Sequence, residues 1–112
     1  MFVHHALVDY VVRLVVATRS PREHGMEDVA TWVSYGASPR ASLGLIAASR
    51  ALALVRGRDY VLPQDILDVT PDVLRHRLVL SYEAMSDEIS ADQILRRILT
   101  TLPVPDVALR SR

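Results

Sequence analysis

Residues 36–57 read GASPRASLGLIAASRALALVRG, a helix with both ends marked. Ser38 is a preferred N-cap residue. Pro39 at the first helical position gives up no hydrogen bond that the helix needs, and its φ is already set. An Ala- and Leu-rich run follows through Leu43, Ile46, Ala47, Arg50, Leu52 and Val55. Gly57 then supplies the residue best able to take a left-handed position after the last turn. A helix this rich in small apolar residues is expected to pack closely on its neighbours.

Toward the N-terminus, Val3, Leu7, Val11, Leu14 and Val15 recur three or four apart, which predicts an amphipathic helix from Val3 to Thr18. Ser20-Pro21 and Gly25 interrupt the chain, and a short turn of helix around Glu27 to Val33 is the only element suggested before Tyr35. Toward the C-terminus, Pro63-Gln64-Asp65 marks another start, and Thr70-Pro71-Asp72 repeats the cap-then-proline signal. Gln64 to Leu80 is therefore expected to form two short helices meeting at an angle. Ser90 and Gln93 make a capping box ahead of an apolar stripe at Ile94, Leu95, Ile98, Leu99 and Leu102. Pro103 and Pro105 end that helix, and the tail from Leu109 to Arg112 is expected to be frayed. No internal repeat or low-complexity block appears, so residues 1–112 are read as a single all-α domain, a small bundle of about four principal helices.

Composition agrees. Of 112 residues 50% are hydrophobic and only 5% aromatic, so the core must be built from Leu, Val, Ile and Ala, a mixture that suits helices better than a β-sandwich. A formal net charge of zero removes the long-range field that draws proteins to nucleic acid or anionic lipid. The segment Phe2 to Val16 is broken by His4, His5, Asp9 and Arg13, so it suits neither a signal peptide nor a membrane span. The chain has no cysteine, which excludes thiol catalysis and fits a reducing compartment; a cytoplasmic location is expected. All 13 basic residues are Arg. A P-loop and a protein kinase both need a lysine to hold phosphates, so neither active site can exist within this chain.

The chemistry concentrates in Gly36-Ala37-Ser38-Pro39-Arg40-Ala41. A helix N-terminus offers backbone N–H groups and partial positive charge, and Arg40 adds a planar cation. The simpler account, a cap with a solvated Arg, is the commoner one for such a pattern, although an Arg in the first turn works against the helix dipole and so leans toward a purpose other than stability. Elsewhere the structural account is the stronger. His4 and His5 are adjacent and lack the i, i+4 spacing of a helical metal pair. His76 is assigned to packing at a helix end, and Trp32 and Tyr35 to the core in preference to lining an adenine pocket. Glu83, Asp87 and Glu88 suit a solvated acidic loop. Arg96 and Arg97 lie opposite the last apolar stripe and face water or a neighbouring domain.

Gly36-Ala37-Ser38-Pro39-Arg40-Ala41, followed by Arg50-Ala51-Leu52-Ala53, Gly57-Arg58-Asp59-Tyr60-Val61, Pro63-Gln64-Asp65 and Val73-Leu74-Arg75-His76-Arg77-Leu78, resembles in consecutive order the lid domain of MoxR-family AAA+ ATPases. The resemblance runs from about Val8 to Pro105, and the one departure is Leu62, where the family often has a Thr or Ser cap. In that family the Arg of the Ser-Pro-Arg element is the sensor 2 arginine, which reaches the phosphates of a nucleotide held by an α/β core. The resemblance thus implies that Arg40 is a catalytic residue and that Gly36, Ser38, Pro39 and Arg40 form the nucleotide-facing element, with no metal ligand of the lid's own. It implies ATP with Mg2+ in the parent enzyme and no cofactor for the lid alone. The Walker motifs, sensor 1 and the arginine finger belong to a core expected before residue 1, which is then not the native start. Expected partners are that core, neighbouring subunits of a hexameric ring and proteins with a von Willebrand factor A domain; nucleic acid and membrane insertion are not expected. The rival expectation is a free-standing helical interaction module without nucleotide chemistry. An upstream reading frame with Gly-Lys-[Ser/Thr] would favour the lid, and a stop codon just before Met1 the module.

Overall fold

The computed structural model describes residues 3–105. The elements are α1 (His5–Arg19), a 3-10 turn at Pro21–His24, α2 (Glu27–Trp32), β1 (Val33–Tyr35), α3 (Ala41–Val55), α4 (Pro63–Leu74), β2 (Val79–Leu80), α5 (Tyr82–Ser86) and α6 (Ala91–Thr101). The four long helices form a small helical bundle, as the apolar stripes require. The tail from Leu109 to Arg112 lies outside the described residues.

α1 starts two residues inside the predicted span, where the Ala6 N–H donates to His4 Nδ1 at 3.1 Å. It sends Leu7, Tyr10, Val11, Leu14 and Val15 into the core. The Tyr10 hydroxyl makes no hydrogen bond among the described residues, so Tyr10 contributes chiefly as an apolar ring. In α3 the buried positions are Ala41, Leu45, Ser49 and Ala53, a strict stride of four that brings small side chains to one face and lets α4 approach closely. α3 ends as its sequence indicates: Gly57 has φ 82, and the Arg58 N–H returns to the Ala53 carbonyl at 2.9 Å, closing a Schellman motif. Ile66 and Leu74 of α4 and Ile94, Leu95 and Ile98 of α6 complete the same cluster. The capping box at Ser90 and Gln93 is present in both directions.

Three expectations need correction. The Ser38 hydroxyl does not cap α3, which begins at Ala41 with Arg40 as its N-cap residue; the chain enters through a tighter turn, described below. Gln64 to Leu80 is not two helices. α4 is a single helix that continues through Pro71, because Ile66, Thr70 and Leu74 share one buried face and the Thr70 hydroxyl donates to the Ile66 carbonyl at 2.7 Å instead of capping a new start. After a turn at 75–77, Val79 and Leu80 pair antiparallel with β1, Val33 opposite Leu80 and Tyr35 opposite Val79. This ribbon places Val33 and Leu80 against the core, which suits a β-branched and a large apolar side chain on one face of a pleat. Finally, Glu83 lies in the short helix α5, not in a loop. The Ser81 hydroxyl caps α5 through the Ala84 N–H and donates to the Thr31 carbonyl at 2.6 Å, tying α5 to the end of α2. No helix among the described residues is long and apolar enough to cross a membrane.

Candidate functional site

The segment from Gly36 to Arg40 leaves β1 and runs across the C-terminal end of α1. The approach is backbone to backbone: a Cβ built on Gly36 would fall 2.2 Å from the Thr18 carbonyl oxygen and 2.7 Å from the Arg19 nitrogen. Only glycine fits there. Ala37 is fully buried, and its N–H donates to Thr18 Oγ1 at 2.9 Å. The chain then turns outward through Ser38, Pro39 and Arg40, all exposed. The N–H groups of Ala41, Ser42 and Leu43 donate to the carbonyls of Ser38, Pro39 and Arg40 at 2.9, 3.1 and 3.0 Å, a tight 3-10-like entry to α3.

That entry alters the electrostatics expected from the sequence. The Ala41, Ser42 and Leu43 donors at the start of α3 are already engaged, so the charge that stands out at the head of α3 is the Arg40 guanidinium. The Arg40 side chain makes no hydrogen bond or ion pair among the described residues. It begins the outer face of α3, where Leu43 is 69%, Leu54 66% and Val55 82% exposed, with Ala47, Arg50 and Ala51 exposed between them. These positions recur three or four apart on the side opposite Ala41, Leu45, Ser49 and Ala53. A cation at the head of an apolar strip is an arrangement suited to another macromolecular surface carrying an anion.

At the other end of α3 the arginines are all committed. Asp65 is inaccessible to solvent, and its carboxylate accepts from Arg58 Nη1 and Nη2, each at 2.8 Å, from Arg56 Nη1 at 3.0 Å and from the Leu62 N–H at 2.8 Å. The last of these does the work of the missing Ser or Thr: with Leu62 as N-cap, the N3 carboxylate reaches back to hold the helix start. Arg56 also bonds Asp68 at 2.8 Å, and Arg58 lies over the Tyr60 ring. Burial pushes the Asp65 carboxyl up, but the Arg58 bonds, the Leu62 N–H and Arg56 outweigh it and hold the group below the ordinary aspartate range. This cluster braces the α3–α4 connection and is separate from Arg40.

The other candidates fall mainly on the surface. Tyr35 is 72% exposed, which corrects its assignment to the core; Trp32 packs partly buried against it. His76 is exposed in the turn after α4, not packed. Glu83, Asp87 and Glu88 are exposed, and the His4 and His5 rings stack with centroids 4.5 Å apart. Arg97 does not simply face water: its Nε donates to Asp28 Oδ2 at 2.9 Å, joining α6 to α2. No sequence signal marks Thr18 as an anchor, because its partner lies on a segment that only the tertiary fold brings near.

A family model for the AAA lid domain matches residues 25–98. The chain is 67% identical to "Chaperone MoxR1" of Mycobacterium tuberculosis over 95% of its length and 28% of that protein's. It is 37% identical to "Protein MoxR" of Paracoccus denitrificans over 89% of its length and 31% of the relative. A crystal structure of a candidate ATPase from Cytophaga hutchinsonii superposes with a TM-score of 0.89 at 42% identity, covering 93% of this chain and 32% of that one. The chain thus spans under a third of the length of each of these proteins.

Proposed function

The chain belongs to the AAA lid domain family, as a lid of the MoxR type, and from that premise we propose that it closes over ATP held by an α/β core of the same protein and supplies Arg40 to its phosphates. The observation that carries this reading is Arg40 itself: exposed and unpaired among the described residues, at the head of α3 on the same face as Leu43 and Leu54. An exposed apolar strip favours a covering partner, and a guanidinium at its edge matches phosphate by its fork of donors. The relatives extend well beyond the matched region, which leaves length for the proposed core, placed before residue 1. Mg2+ is assigned to the proposed core with the Walker motifs. By the same reading Gly36 and Pro39 shape the presenting turn and Ser38 stands nearest the ligand beside Arg40. The assembly is a cytoplasmic, hexameric, chaperone-like machine acting with von Willebrand factor A domain proteins. Membership of the lid family favours this over a free-standing interaction module.

In the assembled enzyme the core has already positioned the nucleotide, so a cation aimed at developing phosphate charge acts at full strength. Removing one such preorganised donor costs about 10²–10³ in rate. Arg40→Ala in the full-length protein is therefore expected to lower ATP turnover by about that factor with an unchanged melting temperature, since the side chain is exposed. Arg40→Lys should restore little, because a point charge does not reproduce the planar fork. Steady-state ATPase assays beside thermal melts test this; wild-type turnover in Arg40→Ala would remove the residue from the mechanism.

A further inference from the structure

Thr18 is 1% exposed in the last turn of α1. Its hydroxyl donates to the Val15 carbonyl at 2.6 Å and accepts the Ala37 N–H at 2.9 Å. The first bond is the ordinary back-bond of a helical Thr; the second is not, since it crosses to the segment that presents Arg40. It is the single side-chain hydrogen bond to residues 36–40 among the described residues. From Ala37 the successive i to i+3 bonds at Ser38, Pro39 and Arg40 leave the turn little freedom, so the direction of Arg40 follows from where Ala37 is held.

We infer that Thr18 is a positioning residue for Arg40: its hydroxyl fixes the Gly36–Pro39 turn on the end of α1 and thereby aims the guanidinium at the phosphates. This rests on the reading of Arg40 as a phosphate contact. Gly36 serves the same end, because the absence of a side chain allows the approach to Thr18 that the hydrogen bond requires. A donor displaced by about an ångström from its productive position can lose rate by up to about a hundredfold, so a small shift at Ala37 suffices.

The test uses the full-length ATPase and the variants Thr18→Val, Thr18→Ser, Arg40→Ala and the double variant Thr18→Val/Arg40→Ala, with kcat, KM for ATP and melting temperature measured for each. Thr18→Val keeps the shape and loses the hydroxyl; it should lower kcat by at least about tenfold. Thr18→Ser, which keeps the hydroxyl, should recover most of that loss. In the Arg40→Ala background the Val substitution should have no further effect on kcat beyond about twofold, since only residues acting through one another fail to multiply. An equal loss in both backgrounds would overturn the inference and leave Thr18 a purely structural residue. If Arg40→Ala is severely impaired while Thr18→Val turns over normally, the inference fails and the function stands; if Arg40→Ala is normal, the function itself fails. Should Thr18→Val not fold, Thr18→Ser and Gly36→Ala decide. The Ser variant must retain turnover and the Ala variant, which forces the segment off Thr18, must lose it; loss in the Ser variant would overturn the proposal.

Discussion

Asp65 makes four hydrogen bonds with a carboxylate that water does not reach, and the two guanidiniums that satisfy it are themselves partly exposed, the side chain of Arg58 by 19% and that of Arg56 by 40%. The charges thus lie at the protein surface with one partner sealed beneath them, a geometry in which the arginines keep part of their hydration and the carboxylate is compensated by bonds. Breaking such a pair from the buried side costs about 3 kcal/mol, so Asp65→Asn should lower the melting temperature by more than about 10 °C in a domain of this size. Glu27→Gln, in an ion pair whose two ends are 67% and 76% exposed, should leave it unchanged. Because the native carboxyl titrates below its unfolded counterpart, the unfolded chain takes up the proton first as pH falls. The stabilisation is whole above the ordinary carboxylate value and is lost as pH drops through the native one. Asp28 adds in the same direction, since Arg97 outweighs a desolvation that raises its pKa; so do Asp68, held down by Gln64 and Arg56, and Asp92, held down by Arg75. Thermal melts should therefore be flat near neutrality and fall below about pH 4, with a shallower fall in Asp65→Asn. Equal slopes for the two proteins would remove Asp65 from the acid response.

α4 shows how an element is decided by its buried face more than by its local punctuation. Pro71 cannot donate to the Leu67 carbonyl, and a proline inside a helix costs about 3 kcal/mol in an unsupported case. It persists because Ile66, Thr70 and Leu74 are buried along one side and Thr70 spends its hydroxyl on the Ile66 carbonyl. Pro71→Ala should then raise stability by on the order of 1 kcal/mol, the restored helix bond being offset by a more flexible unfolded chain and by lost ring packing. A lowered melting temperature would mean that Thr70-Pro71 shapes the α3–α4 packing in a way the hydrogen bonds do not reveal. The same contest explains what was legible beforehand. α1, α3 and α6 have long apolar periods, and their spans were readable to within a few residues, although α3 starts at Ala41 and not at the Ser38-Pro39 signal. Val33–Tyr35 and Val79–Leu80 are too short to show any period, and each is a strand only because the other lies beside it. The candidate site divides likewise: Arg40 was legible as a candidate from Ser-Pro-Arg, whereas the Thr18 contact and the need for glycine at position 36 depend on α1 and the turn meeting in space.

For the whole molecule, the buried interior and the candidate site differ in what they need from outside the domain. Leu7 to Leu102 contribute to one buried cluster drawn from all four long helices, so the helical domain carries its own stabilising interior. The site has no such closure, since Arg40 stands on an exposed turn without any partner among the described residues. One charge-assisted bond from a guanidinium contributes about 1.5–3 kcal/mol, while association of a free ligand costs an estimated 4–15 kcal/mol in lost freedom. The contact alone cannot hold a nucleotide. The 112-residue chain produced by itself should therefore show strongly helical circular dichroism and a cooperative melt, yet no ATP turnover above a buffer blank and no saturable ATP or ADP binding by calorimetry at concentrations below about a millimolar. Under the proposed function Arg40 acts only when a core has already met the association cost, so its contribution should appear in turnover of the full-length protein and be absent from binding by the lid. A micromolar dissociation constant for the isolated chain would contradict this division, because it would require a nucleotide site built from lid residues alone.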